Sequence, residues 1–267
     1  ELGKGILPLS VWRKGKTQEV NVKLQVMGAY SDTSPYNCPK AKKILDQGLA
    51  VMVKNLGKQN SLHINELALL ASGRPEYLAM VRDSAHKVAA STPEVEALWK
   101  ASSRGGMATW HHGYNNLFLC EYYLATGDKT VLPAIRSYTT TIARGQGVFG
   151  TWGHGYVPPD AEGRLHGPVP PYGPVNATGL PCFISLVLAE KCGIEDPELK
   201  PAIARADKFF AYYVGKGFVP YGEHRPGIGH DDNGKTSMTA MAFALQGQRP
   251  ETQFFSKMVT ASYESRE

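Results

Sequence analysis

Two six-residue segments of the chain nearly repeat each other, Thr109-Trp110-His111-His112-Gly113-Tyr114 and Thr151-Trp152-Gly153-His154-Gly155-Tyr156. Each sets histidine, a side chain that takes and returns a proton near neutral pH, beside glycine and tyrosine. His112 and His154 are therefore candidate base and acid for abstracting a proton from a sugar carbon, with Tyr114 or Tyr156 as partner. Asn116 or Asn176 would bind the acidic group beside that carbon. Asn115, Trp110, Trp152, Tyr172 and Lys235 complete the candidate substrate-binding set. A structural reading competes, because copied residues usually meet a copied structural need. On that reading Trp110 and Trp152 plug the space between helical pairs, and each histidine caps a neighbouring helix.

A second cluster, His230-Asp231-Asp232, lies between Gly229 and Gly234 just ahead of an apolar run. Adjacent carboxylates beside a histidine raise one pKa for general acid work, or ligate a cation. The alternative is a helix cap supplied by Asp232 or Asn233. A glycoside hydrolase needs a carboxylate on either side of the bond. Only Asp231, Asp232 and Glu223 stand in suitable loops, and this shortage favours a lyase. The stretch from Gly163 to Gly173, rich in proline, lines a glycan groove or braces the fold.

Four turn glycines, Gly73, Gly127, Gly193 and Gly247, each close an apolar helical run and are followed by a second helix. Their spacings of 54, 66 and 54 residues suit helical hairpins whose return connections carry long loops. After a helix from Pro39 to about Leu56, the pattern predicts Ser61 to Ala71 paired with Pro75 to Ala90, and Asn116 to Ala125 with Thr130 to Ala143. Leu180 to Lys191 should pair with Pro197 to Val214, and Lys235 to Leu245 with Pro250 onward. The first helix of each pair is apolar all round and the second amphipathic, which predicts buried inner helices wrapped by outer ones. The fold class expected is all-α, an α/α toroid forming an incomplete ring. A further segment of chain or another polypeptide would complete that ring. The loops before the inner helices would open at one end, gathering Asn60, His63, His111, His112, Asn176 and His230.

Residues Ile6 to Arg13 and Glu19 to Val26 alternate apolar and polar about Lys14-Gly15-Lys16, the mark of a β-hairpin. Two strands alone are marginal in water, so the hairpin should finish a larger sheet or pack on the helices. The domains expected are residues 1–30 and 31–267. With 267 residues, 42% hydrophobic, the chain is long enough for a full core. Its net charge of +5 is scattered without a basic run, which argues against a nucleic-acid partner. No stretch of 18 apolar residues suggests a membrane span. The four cysteines form no CxxC pair, and Cys120, Cys182 and Cys192 lie in apolar helical runs and read as core thiols, so neither a metal nor any other cofactor is expected.

The hairpin resembles the closing strands of a PDZ domain of the bacterial secreted-protease type. Gln146-Gly147-Val148-Phe149-Gly150-Thr151-Trp152 is similar to the Gln-x-x-x-Gly-x-Trp element of terpenoid cyclases. The helical pairs look like the toroid those cyclases share with protein prenyltransferases and six-hairpin glycosidases. Together with Tyr172 to Leu180 and Gly229 to Lys235, these features resemble a secreted planctomycete- and verrucomicrobia-type family of unknown function. The resemblance implies a toroid in the cell envelope, the periplasm or outside the cell, with no assigned reaction. His230-Asp231-Asp232 lacks the leading acid of the cyclase proton donor, and Leu180 replaces the aspartate that would join Cys182 in a zinc triad. Polysaccharide lyases on such toroids use a His or Tyr base with an Asn or Arg neutraliser. The function expected is a secreted carbohydrate-active enzyme, lyase or hydrolase; the alternative is a non-catalytic envelope scaffold binding peptide or glycan.

Overall fold

A computed structural model describes residues 5–56, 62–92, 94–95, 97, 107–157, 159–167, 173–216, 218–222 and 234–247. The chain divides into two compact units, residues 1–56 and 57–267. In the first, β1 (Ile6–Arg13) pairs antiparallel with β2 (Lys16–Lys23), Ile6 facing Lys23 and Arg13 facing Lys16. The turn is two residues, Lys14 and Gly15, both at positive φ (52° and 77°). That geometry matches the strand twist, and it starts β2 three residues earlier than the alternation predicted. Both faces of the hairpin are exposed. Helix α1 (Pro39–Asn55) belongs to this unit; Cys38 caps it, its Sγ accepting from the Ala41 amide, and Pro39 opens it.

The second unit holds α2 (Ile64–Ala71), α3 (Pro75–Ala90), α4 (Ala108–Thr126), a 3-10 turn (Lys129–Val131), α5 (Leu132–Arg144), α6 (Asn176–Lys191), α7 (Leu199–Ala211) and α8 (Lys235–Leu245). The turn glycines Gly73, Gly127 and Gly193 stand at φ 65°, 71° and 78°, the left-handed conformation that ends a helix without steric penalty. Helices α2, α4, α6 and α8 touch in succession as one layer, and α3, α5 and α7 form a second. The outer helices bury one stripe, as in Leu199, Ala202, Ile203, Ala206 and Phe210 of α7. Every residue of α6 from Thr178 to Ala189 is buried. At the two ends of the described series, α2 and α8 keep exposed faces, including Ile64 and Met241.

Helix α4 starts at Ala108 rather than Asn116, so the segment Thr109 to Tyr114 is helical while its near-copy Thr151 to Tyr156 is not. The second copy has glycine where the first has His111, and each interior glycine disfavours a helix by about 1 kcal/mol. Gly150, at φ 90° just before it, blocks helical extension from that side. The one glycine of the first copy, Gly113, sits where an added Cβ would lie 3.1 Å from the Cys182 amide nitrogen, so close packing on α6 compensates for its weak propensity. Helix α6 likewise starts at Asn176 instead of Leu180, which brings Asn176 and Thr178 into its first turn.

The Gln-x-x-x-Gly-x-Trp element clamps the connection between α5 and α6. Gln146 donates from Nε2 to the carbonyls of Gly150 and Ala202, both at 3.0 Å, and accepts from Arg205 Nε at 2.7 Å. The Trp152 indole donates to the Ile142 carbonyl at 2.8 Å. A Cβ at Gly150 would stand 2.3 Å from the Arg205 carbonyl oxygen. Gly150→Ala is therefore expected to lower stability by roughly 2 kcal/mol or more. Gly167→Ala, where an added Cβ meets open space, should stay within about 0.5 kcal/mol of the parent. Urea unfolding of the two variants checks this, and equal midpoints would refute the clamp.

Candidate functional site

The first turns of α4, α6 and α8 are held together by two connections. Thr109 donates from Oγ1 to the carbonyls of Gly153 (2.6 Å) and His154 (2.9 Å), and Thr178 Oγ1 donates to the same Gly153 carbonyl at 3.0 Å. Asn176 Nδ2 reaches the carbonyls of Pro220 (3.0 Å) and Gly222 (2.8 Å) and the Tyr213 hydroxyl (3.2 Å). The Val219 amide donates to Thr236 Oγ1 of α8 at 3.1 Å. Three helix N-termini therefore lie at one end of the inner layer, where their dipoles favour negative charge.

At this end His112 projects from α4 with Nδ1 3.0 Å from the Tyr156 hydroxyl, the two rings stacked at 5.6 Å. Burial, reinforced by neighbouring His111, pulls the His112 pKa down from 6.5 to about 4, so the ring is neutral at ordinary pH. Burial also pushes the Tyr156 phenol well above its usual value, and its proton stays on. The imidazole is thus in the state of a base and the phenol in that of an acid, with both pKa values pushed away from neutrality.

A polar path leads away from this pair. The Tyr138 ring lies 5.5 Å from that of His112, and its hydroxyl accepts from Asn115 Nδ2 at 2.9 Å. Asn115 Oδ1 in turn lies 3.1 Å from His63 Nε2. An amide oxygen only accepts, so Nε2 is the donor. On the far side His63 Nδ1 is 3.7 Å from Glu66 Oε1, in a carboxylate whose side chain is 5% exposed. Burial acts to raise the Glu66 pKa, but its interactions with His63 and Ser84 outweigh this and hold it below the ordinary carboxylate value. His63 stacks on Phe118 at 4.8 Å and stands at φ 54°, a left-handed conformation costly for a non-glycine residue.

The other predicted residues separate into distinct roles. His154 Nδ1 accepts the Trp110 indole N–H at 3.0 Å, so each histidine has its own aromatic partner. Three of the predicted residues are engaged in packing or hydrogen bonds. Trp152 is 1% exposed, a core plate with no free face for a sugar. Asn116 is buried, donating to Thr139 Oγ1 at 3.2 Å and Ser185 Oγ at 3.3 Å where α4, α5 and α6 meet. Asn115 places both ends of its amide on His63 and Tyr138. Asn176 secures the start of α6, though its Oδ1 is buried without a hydrogen bond. Lys235 is buried in the first turn of α8. Tyr172, His230, Asp231 and Asp232 lie outside the described residues. Among the described residues no three His, Cys, Asp or Glu gather as a metal site requires, and the four cysteines are free and buried.

Glu66 and Tyr138 escape the sequence analysis. The spacing His63-x-x-Glu66 at a helix start is the one signal that points to Glu66; Tyr138 follows the ordinary amphipathic pattern of α5.

His112 links the site to pH. Its folded-state pKa of about 4 lies below the ordinary 6.5, so the unfolded chain binds this proton first. Stability is complete above 6.5 and declines as pH falls toward 4, by up to roughly 3 kcal/mol. His112→Gln should remove that part of the decline, read as the difference between urea midpoints at neutral and mildly acidic pH. An identical decline in parent and variant would refute the buried neutral state.

Neither the curated proteins nor the solved structures include a match to this chain. A family model described as a domain of unknown function, DUF6288, matches residues 41–267, from within α1 through all the helical pairs. On that span the chain belongs to the DUF6288 family.

Proposed function

We propose that the chain is a secreted or envelope carbohydrate-active enzyme of the lyase type, built on part of an α/α toroid, with His112 as its base and Tyr156 as the partner that holds the base. The observation that carries this reading is the 3.0 Å contact between a neutral imidazole and a protonated phenol at the end where three helix N-termini meet. In β-elimination from a uronate, His112 with its proton on Nδ1 takes the proton beside the carboxylate at Nε2. The carbon–oxygen bond to the next sugar breaks as the double bond forms, and the leaving oxygen takes a proton from water. The imidazolium gives its Nε2 proton to the resulting hydroxide, while Tyr156, 3% exposed, holds the ring through Nδ1. Negative charge that builds on the carboxylate is offset by the helix dipoles of α4, α6 and α8.

The parallel inner layer supports a toroid, since its helix starts share one end. The second reading, a scaffold that binds glycan or peptide without cleaving it, is favoured by the absorption of Trp152, Asn116 and Asn176 into packing. A screen of the protein against uronate-containing and neutral polysaccharides separates the two, with ultraviolet absorbance reporting the unsaturated product. Cleavage of uronate polymers alone is expected. His112→Ala and Tyr156→Phe should each slow it by about a hundredfold or more. Cleavage indifferent to both substitutions would overturn the assignment.

A further inference from the structure

Beside the clamped connection lies an open groove of about 450 Å³ lined by Val148, Phe149, Arg205, Lys208, Phe209 and Tyr212. Its helical wall follows from sequence spacing: Arg205, Lys208, Phe209 and Tyr212 recur at three- and four-residue intervals, so they share one face at the end of α7. The facing wall is the Val148-Phe149 tip, held by the Val148 amide donating to the His166 carbonyl at 3.0 Å. Only glycine at position 150 permits the tip to approach α7 so closely.

The groove has two chemical features in unusual combination. Phe149 and Tyr212 are 58% and 55% exposed, large aromatic faces that an isolated soluble surface does not need to show together. Between and beside them stand three cations, Arg205, Lys208 and Lys216, the last with Nζ 3.5 Å above the Tyr212 ring. Arg205 is oriented by the 2.7 Å bond from its Nε to Gln146, and its buried Nη2 faces Glu198 at 3.9 Å. No carboxylate is among the six lining residues.

We infer that this groove is a binding subsite for an anionic polysaccharide. The axial C–H face of a pyranose ring lies flat on Phe149 or Tyr212, and its carboxylate or sulfate takes the charges of Lys208 and Lys216. An acidic peptide would satisfy the cations but has no repeated flat apolar face for the aromatic pair. The groove is separate from the His112 pair, yet Phe149 lies in the same connection as His154 and Tyr156. The assignment of a glycan rests on the substrate class proposed above, and binding is measurable apart from cleavage.

The test uses the whole protein in affinity electrophoresis through gels containing polygalacturonate or chondroitin sulfate, with dextran as neutral polymer and polyglutamate as acidic polypeptide. Retardation by the anionic polysaccharides is expected, and Lys208→Glu, Phe149→Ser and Tyr212→Ser should each weaken it by about tenfold. All three sites are surface-exposed, and thermal melting confirms that each variant folds as the parent does. Retardation without cleavage sustains the subsite and sinks the lyase reading. Cleavage with retardation unchanged in all three variants sinks the subsite and leaves the lyase reading standing. Stronger retardation by polyglutamate than by the glycans, equal retardation by dextran, or no retardation at all also overturns the subsite.

Discussion

Burial of α6 on every side is the constraint from which the rest of the helical unit follows. Its apolar surface is covered by α4, α5, α7 and α8, so no face is left to water. A helix buried at its start cannot leave its amides or its polar side chains unsatisfied without a penalty of about 1–3 kcal/mol each. Asn176 and Thr178 therefore capture carbonyls from the preceding and following connections, and Thr109 of α4 captures the same Gly153 carbonyl. Gly153, His154, Pro220 and Gly222 are tied to the helix starts as a consequence. Tyr156 is carried into register with His112 by that fixation.

The close approaches express the same constraint in the backbone. An added Cβ at Gly153 would stand 2.7 Å from the Gly173 carbonyl oxygen, and one at Gly179 would stand 2.4 Å from Thr151 Oγ1. Such positions exclude side chains because helix and connection already fill the space. The site is thus rigid on the side of α4, α5 and α6, which suits groups that must hold a proton-transfer distance.

The helical pairs were legible in the sequence because their signals are local: a glycine that must adopt positive φ, a first-turn proline, an apolar stripe. The twin Trp-x-His-Gly-Tyr segments were legible as a repeat but not as one helix and one loop. That divergence depends on a single glycine-for-histidine change and on packing against a helix far along the chain. Among the candidate residues, His112 and Tyr156 do come together, one from each copy. A buried asparagine that ties three helices and one that binds a ligand carry the same sequence signature, so Asn116 could be assigned only once Thr139 and Ser185 were placed beside it. Tyr138 and Glu66 meet the other polar residues solely through tertiary packing.

The path from Glu66 to Tyr138 has a direction that follows from donor and acceptor chemistry alone. Asn115 gives its oxygen to His63 and its nitrogen to Tyr138, so the Tyr138 hydroxyl accepts there and its own proton must point elsewhere. The neighbouring rings are those of His112 and, beyond it, Tyr156. Two costs are concentrated at the other end: a histidine in a left-handed backbone, and a buried carboxylate whose Oε2 makes no hydrogen bond. A helix start needing only a cap is served without strain by serine or aspartate, and His63 makes no side-chain cap bond at all. Strain of this kind persists only where the surrounding structure enforces it. Here the enforcing contacts are Phe118 beneath the imidazole and Asn115 at its edge.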